Sequence, residues 1–311
     1  MAKKKSSKRT GTVYYAPGSP MAPRRTQTPL ATLRWVLVMA SFAVVLAMLG
    51  AYAVLCTMFW QNQWEMIFAV PGSTAAKVTA TPANVGLPFE SVGFRAAQPG
   101  ETALTGWWIP AATNARYAHD TVLYLHGAKA SMSGSLPELE TLHHIGVNVL
   151  VFDYHGFGAS GGPHATEQQA EADALAAWNY LVQTRRVPEA RIVAFGDGAG
   201  ASFATHLAVT HPLGALVLAD ISPTAREIFE QDARARLLPM VLLQREQLDP
   251  KPALKTLRTP KLFLAWKAGS DAQTQANFEA ARVPKRFADL RRAPESEKDA
   301  VLRSFLDETV R

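Results

Sequence analysis

Cysteine is almost absent: Cys56 is the only one in 311 residues. No intrachain disulfide can form, so the fold must rest on a hydrophobic core, and cysteine usage says nothing about redox compartment. Histidine is scarce too. Eight occur, none after His211, so the last 100 residues offer no imidazole as a general base. None of the eight has the spacing of a metal site, and no metal or other cofactor is expected. Acidic residues are missing from 1–34, which hold eight Lys and Arg. The +6 of the whole chain is smaller than the +8 of this tail, so the remainder is net acidic by two. The basic pI therefore belongs to the tail alone, and nucleic acid is not expected as a partner. No internal repeat is present.

What the sequence does contain begins with Trp35–Trp60, 26 residues without a formal charge. As a helix it would run about 39 Å, longer than the ~30 Å hydrocarbon core of a bilayer, so a tilted transmembrane helix is expected over 35–60. A cleaved signal peptide, with Ala51-Tyr52-Ala53 as the cleavage site, is the alternative, but the apolar run is long for one and continues past that site. Ala53-Val54-Leu55-Cys56 is a poor lipoprotein box, because the residue before the cysteine should be small. Tyr52, Trp60 and Trp64 suit the interfaces. The positive-inside rule places the tail in the cytoplasm and the C-terminal domain outside it, in the periplasm if the source is a Gram-negative bacterium. Residues 1–34 mix Lys, Ser, Thr, Gly and Pro and read as disordered. Residues 61–88 read as a Pro-dotted connector, and 89–311 as the globular domain.

Within 89–311, Glu90–Ala96 and Ala103–Ile109 flank Pro99-Gly100 and read as an antiparallel pair. Strands are expected at Thr121–Leu125, Val147–Phe152, Ile192–Phe195, Ala215–Ala219 and Lys261–Trp266, with a weak one at Phe287–Leu290. Helices are expected around Leu136–Leu142, capped by Gly146, over Glu167–Val182 and Ala199–Val209, and at the C-terminus. There, Ser296 and Asp299 resemble a capping box. Strands alternating with helices after an antiparallel pair imply a mostly parallel sheet with helices on both faces, which binds ligands at the carboxyl ends of its strands. His126-Gly127, Asp153–Gly162 and Asp197-Gly198 fall there.

The centre of the pattern is Gly196-Asp197-Gly198-Ala199-Gly200, between a buried strand and an Ala-rich helix. Strand, tight turn, helix is the context of a nucleophile elbow, Gly-x-Ser-x-Gly, with glycine at the serine position. Residues from about Gln61 onward resemble the α/β-hydrolase superfamily, and within it the membrane-anchored branch of serine-aminopeptidase-like and monoacylglycerol-lipase-like hydrolases. The stretches that carry the resemblance are Thr81–Glu90, Gly106-Trp107-Trp108-Ile109-Pro110, Leu125-His126-Gly127 and Phe152–Gly161. The match is good to about Pro223 and poor beyond Trp266.

The resemblance implies an α/β-hydrolase fold behind one transmembrane helix. It also implies a Ser–acid–His order along the chain, with backbone amides of Ala128 and Ala199 as the oxyanion hole. Here the nucleophile position is Gly198, the acid candidate is Asp271, and a histidine expected near Pro294–Ser296 is missing. No catalytic residue is therefore expected. Ser160 has elbow-like spacing without a following helix, and Asp197 as nucleophile would put Phe195 where a small residue is required. Ser202 reads as packing. His126, His155 and Ser160 are candidates to line the pocket, although a loop-bonded histidine is the simpler reading. A nucleotide site is not expected, because the glycines are not spaced Gly-x-Gly-x-x-Gly and Asp197 would repel phosphate. The reading is a membrane-anchored, catalytically impaired pseudo-hydrolase that binds a small acyl or carboxylate ligand, or a protein partner. An active esterase, lipase or peptidase with a non-standard nucleophile is the alternative, and a structural module with a closed pocket the third. Leu237–Leu248 is apolar enough to be a lid.

Overall fold

The computed structural model describes residues 29–68, 80–95, 102–233, 235–267, 269 and 271–310. The tail at 1–28 and the middle of the connector, 69–79, lie outside the described residues. The chain divides into two compact units, Met1–Leu55 and Cys56–Arg311.

Helix α1 runs unbroken from Pro29 to Phe68, 40 residues. It is long and apolar enough to cross a membrane, with a mean hydropathy of 2.3 over its best window. It outruns the uncharged stretch at both ends. Pro29 starts it, since proline is tolerated in a first helical turn, so residues 29–34 are helical and not irregular. At the other end Cys56–Phe68 belongs to the second unit. Gln63 and Ile67, four residues apart on one face, are buried together with Phe68. Phe68 packs against Phe203 and Phe157, and Phe59 meets Phe229 edge-on. Trp64, expected at a membrane interface, instead stacks on His164 with ring centroids 3.4 Å apart. The first part of the expected connector is thus a helix built into the domain.

The described residues of the second unit then run β1 (Glu90–Arg95), β2 (Ala103–Ile109), β3 (Tyr117–Leu125), α2 (Leu136–Ile145), β4 (Val147–Phe152), α3 (Glu167–Asn179), β5 (Ile192–Asp197) and α4 (Gly200–Thr210). After these come β6 (Ala215–Ala219), α5 (Ala225–Glu230), α6 (Met240–Leu243), α7 (Lys251–Leu254), β7 (Lys261–Ala265), α8 (Asp271–Ala280), β8 (Lys285–Asp289) and α9 (Glu295–Thr309). The strands form one sheet in the order β1-β2-β4-β3-β5-β6-β7-β8. β2 is antiparallel to both β1 and β4, and the remaining pairs are parallel. Helices cover both faces. Leu139 and Leu142 of α2 and Leu302 and Phe305 of α9 pack on one side; Trp178 of α3 and Phe203 and Leu207 of α4 pack on the other.

Three local differences have physical causes. α3 does not continue as a regular helix to Val182: its end widens, and Arg185 N–H reaches back five residues to the Tyr180 carbonyl. The capping box at Ser296 does not form. α9 starts at Glu295, with Pro294 as its extended cap residue, so Ser296 lies inside the first turn and Asp299 faces His144 at 3.7 Å. The last strand pairs earlier than Phe287, because Lys261–Ala265 aligns with Lys285–Asp289.

Candidate active site

The sheet order reverses around β3, which lies between β4 and β5, and sheets of this kind bind ligands at the carboxyl ends of the strands beside such a switch point. The elbow lies on one side of it. β5 ends at Asp197, Gly198 turns with φ +59°, and α4 starts at Gly200. A Cβ on Gly200 would fall 2.0 Å from the Leu125 carbonyl oxygen, and one on Gly196 would fall 2.4 Å from that of Gly200. These glycines let strand and helix approach, and no other residue fits. Gly198 differs: a Cβ there would meet only Ser222 Oγ at 3.2 Å and Gly127 Cα at 3.5 Å. Space for a side chain is therefore retained at the nucleophile position. The turn is pinned by Gly198 N–H donating to Ala219 O at 2.9 Å, and by Ser222 N–H donating to Gly198 O at 3.3 Å.

The loop after β3 forms the other side. A Cβ on Gly127 would stand 3.6 Å from the Asp197 carbonyl oxygen, so this loop and the elbow are in van der Waals contact. The N–H groups of Ala128 and Ala199 have no hydrogen-bond acceptor among the described residues. Both residues are buried.

Charge is arranged beside the elbow by the ends of β6 and β7. Asp220 Oδ1 accepts from the backbone N–H of Trp266 and Lys267, 3.0 Å each. That contact positions Lys267, whose Nζ donates to Asp197 Oδ2 at 2.7 Å and lies 3.1 Å from Glu138 Oε1. Burial pushes the Asp197 carboxyl up to about 6; Lys267 pulls against this, and Glu138 and Asp220 add to it. Asp197 Oδ1 has no partner among the described residues. Burial disfavours the Lys267 ammonium, but Asp197 and Glu138 outweigh it and raise its pKa, so the lysine is held charged and is no general base. Trp266, Lys267 and Glu138 border an open cleft of about 470 Å³ that His144, Lys298 and Asp299 close from α2 and α9.

The acid candidate, Asp271, is the first residue of α8, and its side chain lies outside the described residues. The loop after β8, residues 290–294, reads Leu-Arg-Arg-Ala-Pro. His126 is fully buried. Its Nδ1 donates to Gly127 O at 2.9 Å, and burial holds it below the ordinary histidine range, against the pull of Asp153 3.6 Å from Nε2. His155 bonds to the buried Asp173 of α3 through Nδ1, at 2.6 Å, and through its backbone N–H. Ser160 Oγ donates to Asp153 O and accepts from Thr105 N–H, tying the 153–161 loop to β2. The structure thus places these three side chains in loop packing. Ser202 is buried in α4.

Two residues enter the site without a sequence signal that could have singled them out. Ser222 and Lys267 lie 24 and 69 residues beyond Gly198, and they reach the elbow only because β6 pairs with β5 and β7 pairs with β6 in the sheet.

No family model matches the chain. The Mycobacterium tuberculosis protein Rv2307c, itself uncharacterized, is 31% identical over 238 residues, 73% of this chain and 78% of that one. The α/β-hydrolase domain-containing protein aho-3 of Caenorhabditis elegans is 33% identical over 102 residues, 32% of this chain and 30% of its own. Among solved structures, Pyrococcus furiosus esterase Pf2001 superposes with a TM-score of 0.58 at 19% identity, over 75% of this chain and 97% of the esterase.

Proposed function

We propose that this chain, which belongs to the family of the mycobacterial protein Rv2307c and has the α/β-hydrolase fold, is a membrane-anchored pseudo-hydrolase. Its elbow face binds a ligand or a protein partner and forms no acyl-enzyme. One observation carries this reading: glycine stands at the turn where the nucleophile would be, and no histidine follows His211, so nucleophile and base are missing together. Triad members act as a unit, and an oxyanion hole with binding alone typically leaves roughly 10³–10⁴-fold over water. The donors that remain, the Ala128 and Ala199 amides, suit a small acyl or carboxylate group.

The test is turnover of p-nitrophenyl acetate and butyrate, with fluorophosphonate labelling as a second readout. Neither turnover nor labelling is expected; turnover that the fluorophosphonate blocks would overturn the reading. Stabilisation by short-chain carboxylates in thermal unfolding distinguishes a binding face from a closed structural module.

An active hydrolase with a non-standard nucleophile is favoured by one observation, the Ser222 hydroxyl 3.2 Å from the Cβ position of residue 198. A serine hydroxyl needs a base, and among the described residues no histidine is bonded to Ser222. Labelling of the native chain that Ser222→Ala abolishes would establish this second reading.

The basic tail supports a cytoplasmic N-terminus and an extracytoplasmic domain. An alkaline phosphatase fused to the C-terminus should then be active; an inactive fusion beside an active cytoplasmic reporter at the same point would reverse the topology.

A further inference from the structure

Residues 236–245 read Arg-Leu-Leu-Pro-Met-Val-Leu-Leu-Gln-Arg, apolar except for Gln244 and an arginine at each end. In a water-soluble domain the short helix α6 inside this stretch should bury its large side chains. Met240 packs against the core, but Val241 and Leu242 beside it are 97% and 80% exposed, and Leu237 just before the helix is 71% exposed. Three adjacent aliphatic side chains turned outward are costly in water, and such patches mark a surface that meets something else.

The neighbours of α6 say what. Its last carbonyl, Leu243 O, accepts from Gln63 Nε2 at 3.1 Å, and Gln63 Oε1 accepts from Arg245 N–H at 2.9 Å. Gln63 is buried on α1, three residues after the uncharged stretch ends at Trp60. Arg245 lies over the Trp60 ring, 4.7 Å from its centroid, and Trp60 is itself exposed. Exposed aliphatics, a tryptophan and flanking arginines, fixed to the end of an apolar helix, have the composition of a segment lying in a bilayer interface: the aliphatic tips enter acyl chains and the guanidinium groups stay at headgroup level.

We propose that α6 and the turn just before it form a second membrane contact, in which Leu237, Val241 and Leu242 insert at the headgroup–acyl boundary beside the exit of α1 while Arg236 and Arg245 face lipid phosphates. The proposal rests on α1 being a membrane anchor. It gives the exposed stretch one occupant, lipid. A second copy, another protein or a lid closed over the elbow are the competing outcomes.

The experiment uses the full chain with Cys56→Ala, reconstituted in phosphatidylcholine–phosphatidylglycerol nanodiscs. A single cysteine placed at Val241 or Leu242 carries an environment-sensitive fluorophore. Val45→Cys in the apolar stretch reports on the anchor, and Val283→Cys, 68% exposed before β8, reports a solvent-facing site of the domain. Doxyl-labelled lipid should quench the labels at 241 and 242 several-fold more than the label at 283, and iodide in the buffer should do the opposite. Quenching at 45 without quenching at 241 and 242 would overturn this proposal and leave the anchor standing. No lipid quenching at 45 would overturn the anchor itself. A label at 241 and 242 shielded from both iodide and lipid would assign the face to protein contact instead.

Discussion

Replacing Gly198 with serine restores the one atom set whose absence defines the elbow, and the structure sets the cost. The backbone there has φ +59°, a conformation an L-residue adopts at about 1–2 kcal/mol. The new Cβ would lie 3.2 Å from Ser222 Oγ, so that hydroxyl must give by a few tenths of an ångström, while the 3.5 Å contact to Gly127 is ordinary. The expected loss is therefore about 1–2 kcal/mol, a fall in Tm of roughly 2–8 °C for a domain of this size. Gly200→Ala, with its Cβ 2.0 Å from the Leu125 carbonyl oxygen, has no such accommodation and should yield no folded protein. Thermal unfolding by circular dichroism reads the two stabilities. In p-nitrophenyl ester assays Gly198→Ser should remain inactive, because its hydroxyl has no imidazole to take the proton. A rate on the order of one per second or above would refute the missing-base reasoning. A Gly198→Ser variant as unstable as Gly200→Ala would refute the claim that the nucleophile position retains space.

Lys267→Ala leaves Asp197 buried without its cation and should cost about 1–2 kcal/mol at pH 8, the lysine being half exposed. Urea unfolding should show a smaller loss at pH 5, where Asp197 protonates, and Asp197→Asn in the same chain should recover most of it. Glu171 on α3 is pushed up to about 7, first by burial and then by Glu167 and Glu246, with His206 at 3.0 Å and Arg245 bordering the same cleft. A carboxyl whose pKa is higher folded than unfolded binds more protons in the folded state. Stability should therefore fall, by about 1–2 kcal/mol once solvent screening of this partly exposed carboxyl is allowed for, as pH rises from about 4.5 to 7. Glu171→Gln should flatten that slope, and an unchanged pH profile would show that Glu171 is not its source. Phe68→Ala should destabilise the second unit by about 3 kcal/mol, which a denaturant midpoint will read; no change would place the end of α1 outside the cooperative core.

Much of this protein is legible in its residue order because the determining interactions are local. The uncharged run 35–60 marks α1, and alternating apolar runs and helical periods mark β3 to α4 and β6. Glycines at 196, 198 and 200 mark the elbow, and the absence of histidine after His211 needs no structure at all. What tertiary structure alone decided depends on groups far apart in sequence. Gln63, Ile67 and Phe68 read as connector because nothing nearby accounts for them; their partners are Leu243, Arg245 and Phe203. Ser296 has a capping-box pattern, but Pro294 starts the helix before it. Lys267 reaches Asp197, and Ser222 reaches Gly198, through the side-by-side pairing of β5, β6 and β7. Leu237, Val241 and Leu242 form an apolar stretch in the sequence whether it ends buried or exposed. Only the fold shows that their side chains turn outward, while Leu238 of the same stretch is buried and Met240 packs on the core.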